Sequence, residues 1–369
     1  MHLPFHGFLC VEWQVGEMGE ISASSRCIAH TAIVFCFAFM SCPVFTNPMP
    51  VVTQIGKEAP CVALDKCPCG GYDFSQKHEG VTKVKERKLV AALHDIVGLG
   101  RCSLTMVIPV LSAMGVLTCP VPTAVFSAHT LYPSFEKQSL NDFMRKTLES
   151  YVRDDVHFDA SYSGYLGDVG QIEIIKAFMD KQKGLRIVDP VFGDHGALYP
   201  SISTEMVDGM RDLIASADII VPNLTEAAFL LRREAVEELP RAQEMDWLNA
   251  LRDHGPRNVL ITSCQRQGET DSVSVLGLDE KGEAFRVCSP LLPAQFHGNG
   301  DLFGSVLVGG MVNGLPLREA VRQAAGFVYA AIEETMQAQT PVIEGVRLEA
   351  SISLLTTLQA YENITVEPV

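Results

Sequence analysis

The segment Gly298-Asn299-Gly300-Asp301 has the residue types that phosphoryl transfer needs. It precedes an apolar run, Leu302–Val312, whose pattern predicts a helix. Two glycines around one residue at a helix N-terminus let consecutive backbone N–H groups point at one spot, which forms an anion hole without basic side chains. Asp301 is then either a carboxylate favoured by the helix dipole or a general base for a substrate hydroxyl.

Polar residues also follow most of the predicted strands. In a parallel sheet covered by helices, ligands bind at the carboxyl ends of the strands, so we expect these residues to form a polar rim. The rim consists of His94, Asp95, Ser127–Thr130, Asp189–Asp194, Asn223–Glu226, Thr262 and Ser263. Four of its acidic groups suit a site for a magnesium–nucleotide complex.

The elements that must position these residues alternate between strand and helix patterns over about 250 residues. The alternation predicts an α/β fold with three layers, in which helices cover a mostly parallel central sheet. Predicted strands are Leu89–Leu93, Thr118–Phe126, Ala160–Tyr165, Leu185–Val188, Ile219–Val221, Val259–Thr262 and Val273–Leu276. Predicted helices are Leu104–Met114, Leu140–Val152, Ile172–Met179, Met206–Ile214, Thr225–Leu231, Leu302–Val312 and Leu317–Gln337. Two prolines in Thr118–Phe126 predict an edge strand, and a glycine-rich turn is expected at Gly98-Leu99-Gly100.

Composition narrows the function classes. The chain of 369 residues is 47% hydrophobic and 20% charged, which is typical of a protein with a packed core. It carries 29 basic against 44 acidic residues, a formal net charge of −15. This balance argues against nucleic acid or an anionic membrane as the main partner. A phosphate-bearing substrate would therefore need local positive potential from backbone dipoles or a metal.

Residues 1–87 differ from the rest of the chain. The uninterrupted apolar core of their most hydrophobic run, Ala32–Met40, is far shorter than the ~20 residues of a membrane span. No basic residue precedes Arg26, which argues against a signal peptide. We expect 1–87 to be an extension, either disordered or translated from upstream of the true start. The predicted domain spans 88–360, followed by a tail at 361–369, and ordinary cysteine usage beyond residue 87 predicts a cytoplasmic protein.

Five segments resemble the ribokinase-like superfamily in family order. GNGDLFGSVLVGG (298–310) resembles its GTGD segment. DPVFGD (189–194) and PNLTE (222–226) resemble the DPVMGD and PNxTE motifs of its vitamin-kinase branch. HDIVGLGRCSLT (94–105) and PTAVFSAHT (122–130) complete a resemblance over roughly 89–345. It is closest to the pyridoxal and pyridoxamine kinases, with hydroxymethylpyrimidine kinases as near relatives.

The resemblance implies a ribokinase-like fold and ATP-dependent phosphorylation of the 5′-hydroxymethyl group of a vitamin B6 vitamer. Asp301 falls at the position of the family's catalytic base, and Gly298, Asn299 and Gly300 at its anion hole. The implied ATP-side residues are Asp194, Tyr199, Asn223, Glu226, Thr262 and Ser263. Mg²⁺ would be organised by Asp194 and Glu226 with Asp189, and a monovalent cation is a further candidate. Asn223 and Glu226 also fit a helix capping box, so that structural role stays open.

On the vitamin side, the resemblance places Asp95 against the substituents of the ring, Phe126 and Tyr165 as its aromatic walls, and Thr130 at the closing edge. The partners implied are ATP and a small heteroaromatic alcohol, with no nucleic acid or membrane, in a homodimer. Asn299 replaces the usual Thr of GTGD, Leu131 the usual Gly after the HT pair, and Phe192 a Met.

Two alternatives follow. A hydroxymethylpyrimidine (phosphate) kinase would use identical chemistry on a similar ring. A non-catalytic vitamer-binding protein would keep the fold, and it is supported by Asn299 and Leu131 alone.

Overall fold

The computed structural model describes residues 87–200, 202–356 and 363–369, all within the unit Val81–Val369. The extension predicted for 1–87 therefore lies almost wholly outside the described residues. The domain boundaries at 87 and 360 stay predictions. No helix in the described ranges has the length and apolar character needed to cross a membrane.

The strands alternate with helices, as the sequence predicts. The strands are β1 (Lys88–Leu99), β2 (Val116–Ala128), β3 (Lys137–Ser139), β4 (Ala160–Ser163), β5 (Leu185–Val188), β6 (Gly193–Asp194), β7 (Ala197–Leu198), β8 (Ile219–Ile220), β9 (Glu238–Leu239), β10 (Asn258–Arg266), β11 (Ser272–Leu278), β12 (Ala284–Pro290) and β13 (Thr365–Glu367). The helices are α1 (Leu104–Ala113), α2 (Asn141–Arg153), α3 (Gly170–Met179), α4 (Thr204–Ile214), α5 (Leu224–Leu230), α6 (Arg241–Arg252), α7 (Asn299–Val312), α8 (Leu317–Gln337) and α9 (Leu348–Ser351). Short 3₁₀ turns lie at Val342–Glu344 and Ile352–Leu355.

Within the described part of the chain, eleven strands form one sheet in the order β13-β12-β11-β10-β8-β5-β4-β1-β2-β3, with β9 beside β10. Every neighbouring pair from β2 across to β10 is parallel, whereas β3 and β11 to β13 pair antiparallel. The predicted fold class, a mostly parallel sheet between helical layers, is therefore confirmed. The carboxyl ends of the parallel strands share one edge, where the site residues collect.

Apolar side chains of β1 pack on both faces of the sheet. Leu89, Ala91 and Leu93 join a core that includes α2 to α6. Val90 and Ala92 join a second core formed with α1, α7 and α8. Because successive side chains of a strand point to opposite faces, a strand covered on both sides needs a continuous apolar run.

Two expectations for the first strands were incomplete. β1 continues through the expected turn as far as Leu99, because its pairing with β2 extends to Ala128. β2 is not the edge along its whole length, because Ala124–Phe126 pairs with β3. Its prolines, Pro120 and Pro122, precede that pairing, where they cost no ladder bond.

Candidate active site

The glycine-rich segment at 298–301 opens α7. Gly298 is its N-cap and adopts a left-handed conformation with φ of 84°. A Cβ there would lie 2.4 Å from the carbonyl oxygen of Arg101, so only glycine fits. The three residues that follow form the first helical turn, whose N–H groups have no partner within the helix. A Cβ at Gly300 would meet nothing within 4 Å, so the space beside this residue is open. Free N–H groups at a helix N-terminus are the kind of site that binds an anion.

Asp301, in this first turn, contacts the start of α1. Its Oδ2 accepts a 2.7 Å hydrogen bond from the backbone N–H of Ser103, the N-cap of α1. Its side chain is 17% exposed. Burial raises the pKa of Asp301 to about 6, although the Ser103 N–H opposes the rise. This carboxylate is ionised at neutral pH and more basic than an ordinary aspartate, which suits a general base.

His94 lies beside Asp301, with 3.8 Å between its Nδ1 and the Asp301 Oδ1. Burial lowers the pKa of His94 to about 3, so the imidazole is neutral and the contact is not an ion pair. Its ring packs edge-on against Tyr162, with 4.3 Å between the centroids. The backbone of Gly164 lies against the His94 ring, and a Cβ on Gly164 would be 2.2 Å from the His94 Nδ1. His94 therefore places an uncharged ring next to the Asp301 carboxylate.

The charges of four carboxylates act on the hydroxyl of Tyr199, which follows β7. Burial raises the pKa of this hydroxyl, and charges on four acids raise it further. In order of size these are Glu226, Asp194, Asp189 and Asp301. The charges of the predicted ATP-side acids and of the predicted base thus act on one hydroxyl, although these residues come from three separate places in the chain, the 189–194 segment, Glu226 and Asp301.

Asp189 and Asp194 differ in their access to solvent. Asp189 directly follows β5 and is buried, and burial followed by the charge of Asp301 raises its pKa well above the usual range. Within the described residues, no Lys or Arg forms an ion pair with it. Asp194 lies in β6 with a side chain 46% exposed, and its Oδ1 accepts a 2.8 Å hydrogen bond from the N–H of His195. A cation at this edge would relieve the repulsion among these acids.

Asn223 and Glu226 form a capping box at the start of α5. The Asn223 Oδ1 accepts from the Glu226 N–H at 2.8 Å, and the Glu226 Oε2 accepts from the Asn223 N–H at 2.9 Å. The same two side chains hold the 189–194 segment, because Glu226 Oε1 accepts from Phe192 N–H at 3.0 Å and Asn223 Nδ2 donates to the Gly193 carbonyl at 2.8 Å. The capping role that the sequence left open is present. The roles in ATP and metal binding stay predictions.

Thr262 and Ser263 lie within β10, which continues beyond the predicted end of the strand. The pairing with β11 is irregular between Ile261 and Cys264, and Ser263 adopts a left-handed φ of 53°. Thr262 forms a β-bridge with Asn223. The predicted nucleotide-side pair therefore lies at the same sheet edge as the capping box.

The two residues predicted as aromatic walls of the ring pocket, Phe126 and Tyr165, contact each other. The rings of Phe126 and Tyr165 are edge-to-face, with 5.7 Å between centroids. Phe126 is buried in a small apolar cluster that includes Cys102, whereas Tyr165 is partly exposed. Thr130 lies just beyond β2 and is exposed. In an edge-to-face pair the edge of one ring covers a face of the other, so a heteroaromatic ring would stack on a face outside that contact.

Asp95 lies in β1 where the pairing with β2 shifts register, and it is buried. Burial raises its pKa to about 7. A hydrogen bond from the Ser103 side chain lowers the pKa, the charge of Asp301 raises it, and the charge of Lys137 lowers it. Its Oδ1 has no hydrogen-bond partner within the described part of the chain. Asp95 therefore has a carboxyl oxygen free to accept a hydrogen bond, and its role in binding the ring substituents stays a prediction.

Sequence reasoning missed two residues of this site. Ser103 joins Asp95 to Asp301, which lies 198 residues away in the chain. A serine before an apolar helix is a recognisable N-cap, but its two acidic partners are not visible in the sequence. Lys137, on the three-residue strand β3, donates to the Tyr165 hydroxyl at 3.1 Å, and no sequence signal marks it.

The three departures from the family motifs leave the charged groups in place. Asn299 is half-buried, and its Oδ1 has no partner among the described residues. Leu131 is 51% exposed beyond β2. Phe192 is fully buried and packs against Phe229 at 6.4 Å between centroids.

No group of three or more His, Cys, Asp or Glu side chains in the described ranges is arranged to hold a metal by itself. The metal role predicted for Asp189, Asp194 and Glu226 stays a prediction.

Residues 108–344 match the phosphomethylpyrimidine kinase family. Among curated proteins, the chain is similar to pyridoxal kinase PdxY of Rubrobacter xylanophilus, with 28% identity over 278 residues that cover 71% of this chain and 93% of the relative.

Two solved structures are also similar. A putative phosphomethylpyrimidine kinase of Bacteroides thetaiotaomicron, crystallised with pyridoxal, is 38% identical with a TM-score of 0.73, covering 77% of this chain and 100% of the other. Pyridoxal kinase of Lactobacillus plantarum is 30% identical with a TM-score of 0.68, covering 73% and 96% of the two chains.

Proposed function

Because the chain belongs to the phosphomethylpyrimidine kinase family, we propose that it transfers the terminal phosphoryl group of ATP to the 5′-hydroxymethyl group of a vitamin B6 vitamer. It is a kinase of the pyridoxal kinase type. The observation that carries the proposal is the position of Asp301, a carboxylate with a raised pKa in the same first helical turn as backbone amides that have no partner within the helix. One turn thus holds both a proton acceptor and a site for phosphoryl oxygens.

The reaction follows from this geometry. Asp301 takes the proton of the substrate hydroxymethyl group as its oxygen attacks the terminal phosphorus of ATP. The bond to the ADP oxygen breaks, and the amides of residues 299–301 stabilise the charge on the phosphoryl oxygens. Asp301 then releases the proton to solvent. His94 remains neutral throughout, so it forms no ion pair with the ionised carboxylate of Asp301.

We propose Mg²⁺ as the metal, held by Asp194 with the support of Asp189. Hard carboxylate oxygens fit this ion, which takes most of its other ligands from phosphate and water. The Asp194 Oδ2 lies 3.6 Å from the Nε2 of His195, a side chain that is itself exposed. When bound, Mg²⁺ supplies charge neutralisation for the phosphates. Glu226, whose two oxygens already accept backbone N–H groups, would act mainly by shaping the 189–194 segment. A monovalent cation at the nucleotide side stays a prediction.

The test is a competition assay with ATP and Mg²⁺. ADP release and product formation are measured with pyridoxal, pyridoxine, pyridoxamine and hydroxymethylpyrimidine. We expect the highest kcat/KM with a B6 vitamer and a fall in kcat of about 10²- to 10⁴-fold in Asp301→Asn. A higher kcat/KM for the pyrimidine would instead select the alternative substrate, which the name of the matched family favours. The second alternative, a binding protein without catalysis, is not supported, because the relatives are kinases.

We further propose a cytoplasmic homodimer. The four cysteines within the described residues, Cys102, Cys119, Cys264 and Cys288, are free thiols, which supports a reducing compartment. Sedimentation of the purified chain would test the dimer, and a mass of one chain over the working concentration range would refute it.

A further inference from the structure

Lys137 is a cation within the proposed ring pocket. It lies on β3, which pairs antiparallel with β2 so that Lys137 is directly opposite Phe126. Its Nζ is 5.6 Å from the centroid of the Phe126 ring and 5.5 Å from that of Tyr165. It donates hydrogen bonds to the Tyr165 hydroxyl at 3.1 Å and to the Gly167 carbonyl at 3.2 Å. The ammonium is thus fixed beside both aromatic walls.

The charge of Lys137 acts on the vitamin side of the site. The positive charge of Lys137 lowers the pKa of Asp95, although other effects on that carboxyl are larger. The charges that act on Tyr199, at the nucleotide side, are four carboxylates. The ring pocket therefore presents both an acidic group, Asp95, and a basic group, Lys137, against aromatic walls.

An acidic group and a basic group together suit the hydroxypyridine ring of a B6 vitamer better than the aminopyrimidine ring of the alternative substrate. A hydroxypyridine readily places a proton on its ring nitrogen and leaves its ring hydroxyl ionised, so the ring carries both charges. The aminopyrimidine ring of the alternative substrate carries an exocyclic amine, a donor, and has no acidic hydroxyl. An ammonium has donors only, so it favours an ionised oxygen over an amine.

We propose that Lys137 is a specificity-determining residue, which selects hydroxypyridine alcohols by pairing its ammonium with their ionised ring hydroxyl. This inference rests on the proposed function and names the group that separates its two candidate substrates.

The test combines a change in the protein with a change in the substrate. Lys137→Met keeps an unbranched apolar stem along the aromatic walls and removes the charge. Pyridoxine is compared with 3-deoxypyridoxine, which lacks the ring hydroxyl. We expect Lys137→Met to lower kcat/KM for pyridoxine about 10- to 100-fold, chiefly through KM, and to change it less than about threefold for the deoxy compound. Lys137→Arg keeps a cation and should retain most of the discrimination.

Lys146→Met is the matched control, because Lys146 is an exposed lysine on α2. It removes the same charge elsewhere and should leave both substrates unaffected. Equal losses with pyridoxine and its deoxy analogue, or a rise in KM for ATP, would overturn the role of Lys137. Equal melting temperatures of the variants would exclude a folding defect, since Lys137 is exposed.

Direct binding separates this inference from the proposed function. Titration calorimetry with pyridoxine and the deoxy analogue, without ATP, measures recognition of the hydroxyl alone. Binding that needs both Lys137 and the ring hydroxyl, without any turnover, would support the role of Lys137 and refute the kinase proposal. Turnover of pyridoxine with no difference between wild type and Lys137→Met would support the kinase proposal and refute the role of Lys137.

Discussion

Replacing Asp301 by Asn should inactivate the protein and at the same time stabilise it. The substitution removes a buried charge but keeps an amide oxygen that can accept the hydrogen bond from the Ser103 N–H. Burial raises the pKa of Asp301 to about 6 from a usual value of 3.8. At 1.36 kcal/mol per pKa unit, keeping this carboxylate ionised in the folded state costs about 3 kcal/mol.

The sign and the pH window follow from that shift. The carboxyl binds its proton more tightly when folded, so its contribution favours the folded state at low pH and is lost as the pH rises from 3.8 to about 6. The stability gained by Asp301→Asn should therefore be about 1 kcal/mol at pH 4.5 and about 3 kcal/mol at pH 8. The latter corresponds to a rise in Tm of about 5–10 °C.

Urea unfolding at the two pH values measures this difference. Asp212→Asn is the matched control, because it removes the same formal charge at an exposed position on α4. It should change the free energy of unfolding by no more than about 0.5 kcal/mol at either pH. A gain in Asp301→Asn that is absent at pH 8, or equal at pH 4.5 and pH 8, would refute the burial of a charged base at this position.

The remaining predictions concern the same edge of the sheet. The kcat/KM of the wild type should fall about tenfold per pH unit below pH 6, because the proposed base Asp301 can take a proton only when ionised, and a pH–rate profile checks this. Gly298→Ala should destabilise the fold by more than about 2 kcal/mol and raise the KM for ATP, because its Cβ would meet the Arg101 carbonyl. Gly314→Ala, also at positive φ but in open space, should cost only about 1 kcal/mol in a urea titration. Glu226→Ala should cost about 2–4 kcal/mol, since backbone N–H groups lose their acceptor, whereas Glu226→Gln, which keeps one acceptor oxygen, should lose less.

Much of the fold could be predicted from the sequence. The strand Leu185–Val188 and the helix Leu317–Gln337 have the predicted bounds, because each is a long or sharply bounded apolar pattern next to glycine or proline. The helix Arg241–Arg252 and the strand Ala284–Pro290 were not predicted. Arg241–Arg252 is rich in charge and buries only a few side chains, so its periodicity is weak.

Some features of the candidate site could likewise be predicted from the sequence, whereas others could not. Gly298 and Asp301 could be proposed from the sequence because an anion hole at a helix N-terminus would be built from neighbouring residues. The capping box of Asn223 and Glu226 is equally local, three residues apart. In contrast, the sequence could not show that the Glu226 carboxylate also holds the 189–194 segment, which lies more than 30 residues away in the chain.

The sequence by itself determined the alternation of strands and helices, the motifs and the acidic character of the protein, because these depend on composition and on near neighbours. Only the tertiary structure decided which acids share a site and how basic they are. The Ser103 N–H reaches Asp301 across 198 residues, and Asp95 is buried where two strands shift register. Lys137 reaches the aromatic walls through the pairing of a short edge strand. Each of these depends on burial and on distant segments meeting at one edge of the sheet, and it is desolvation there that sets the pKa values on which the proposed chemistry depends.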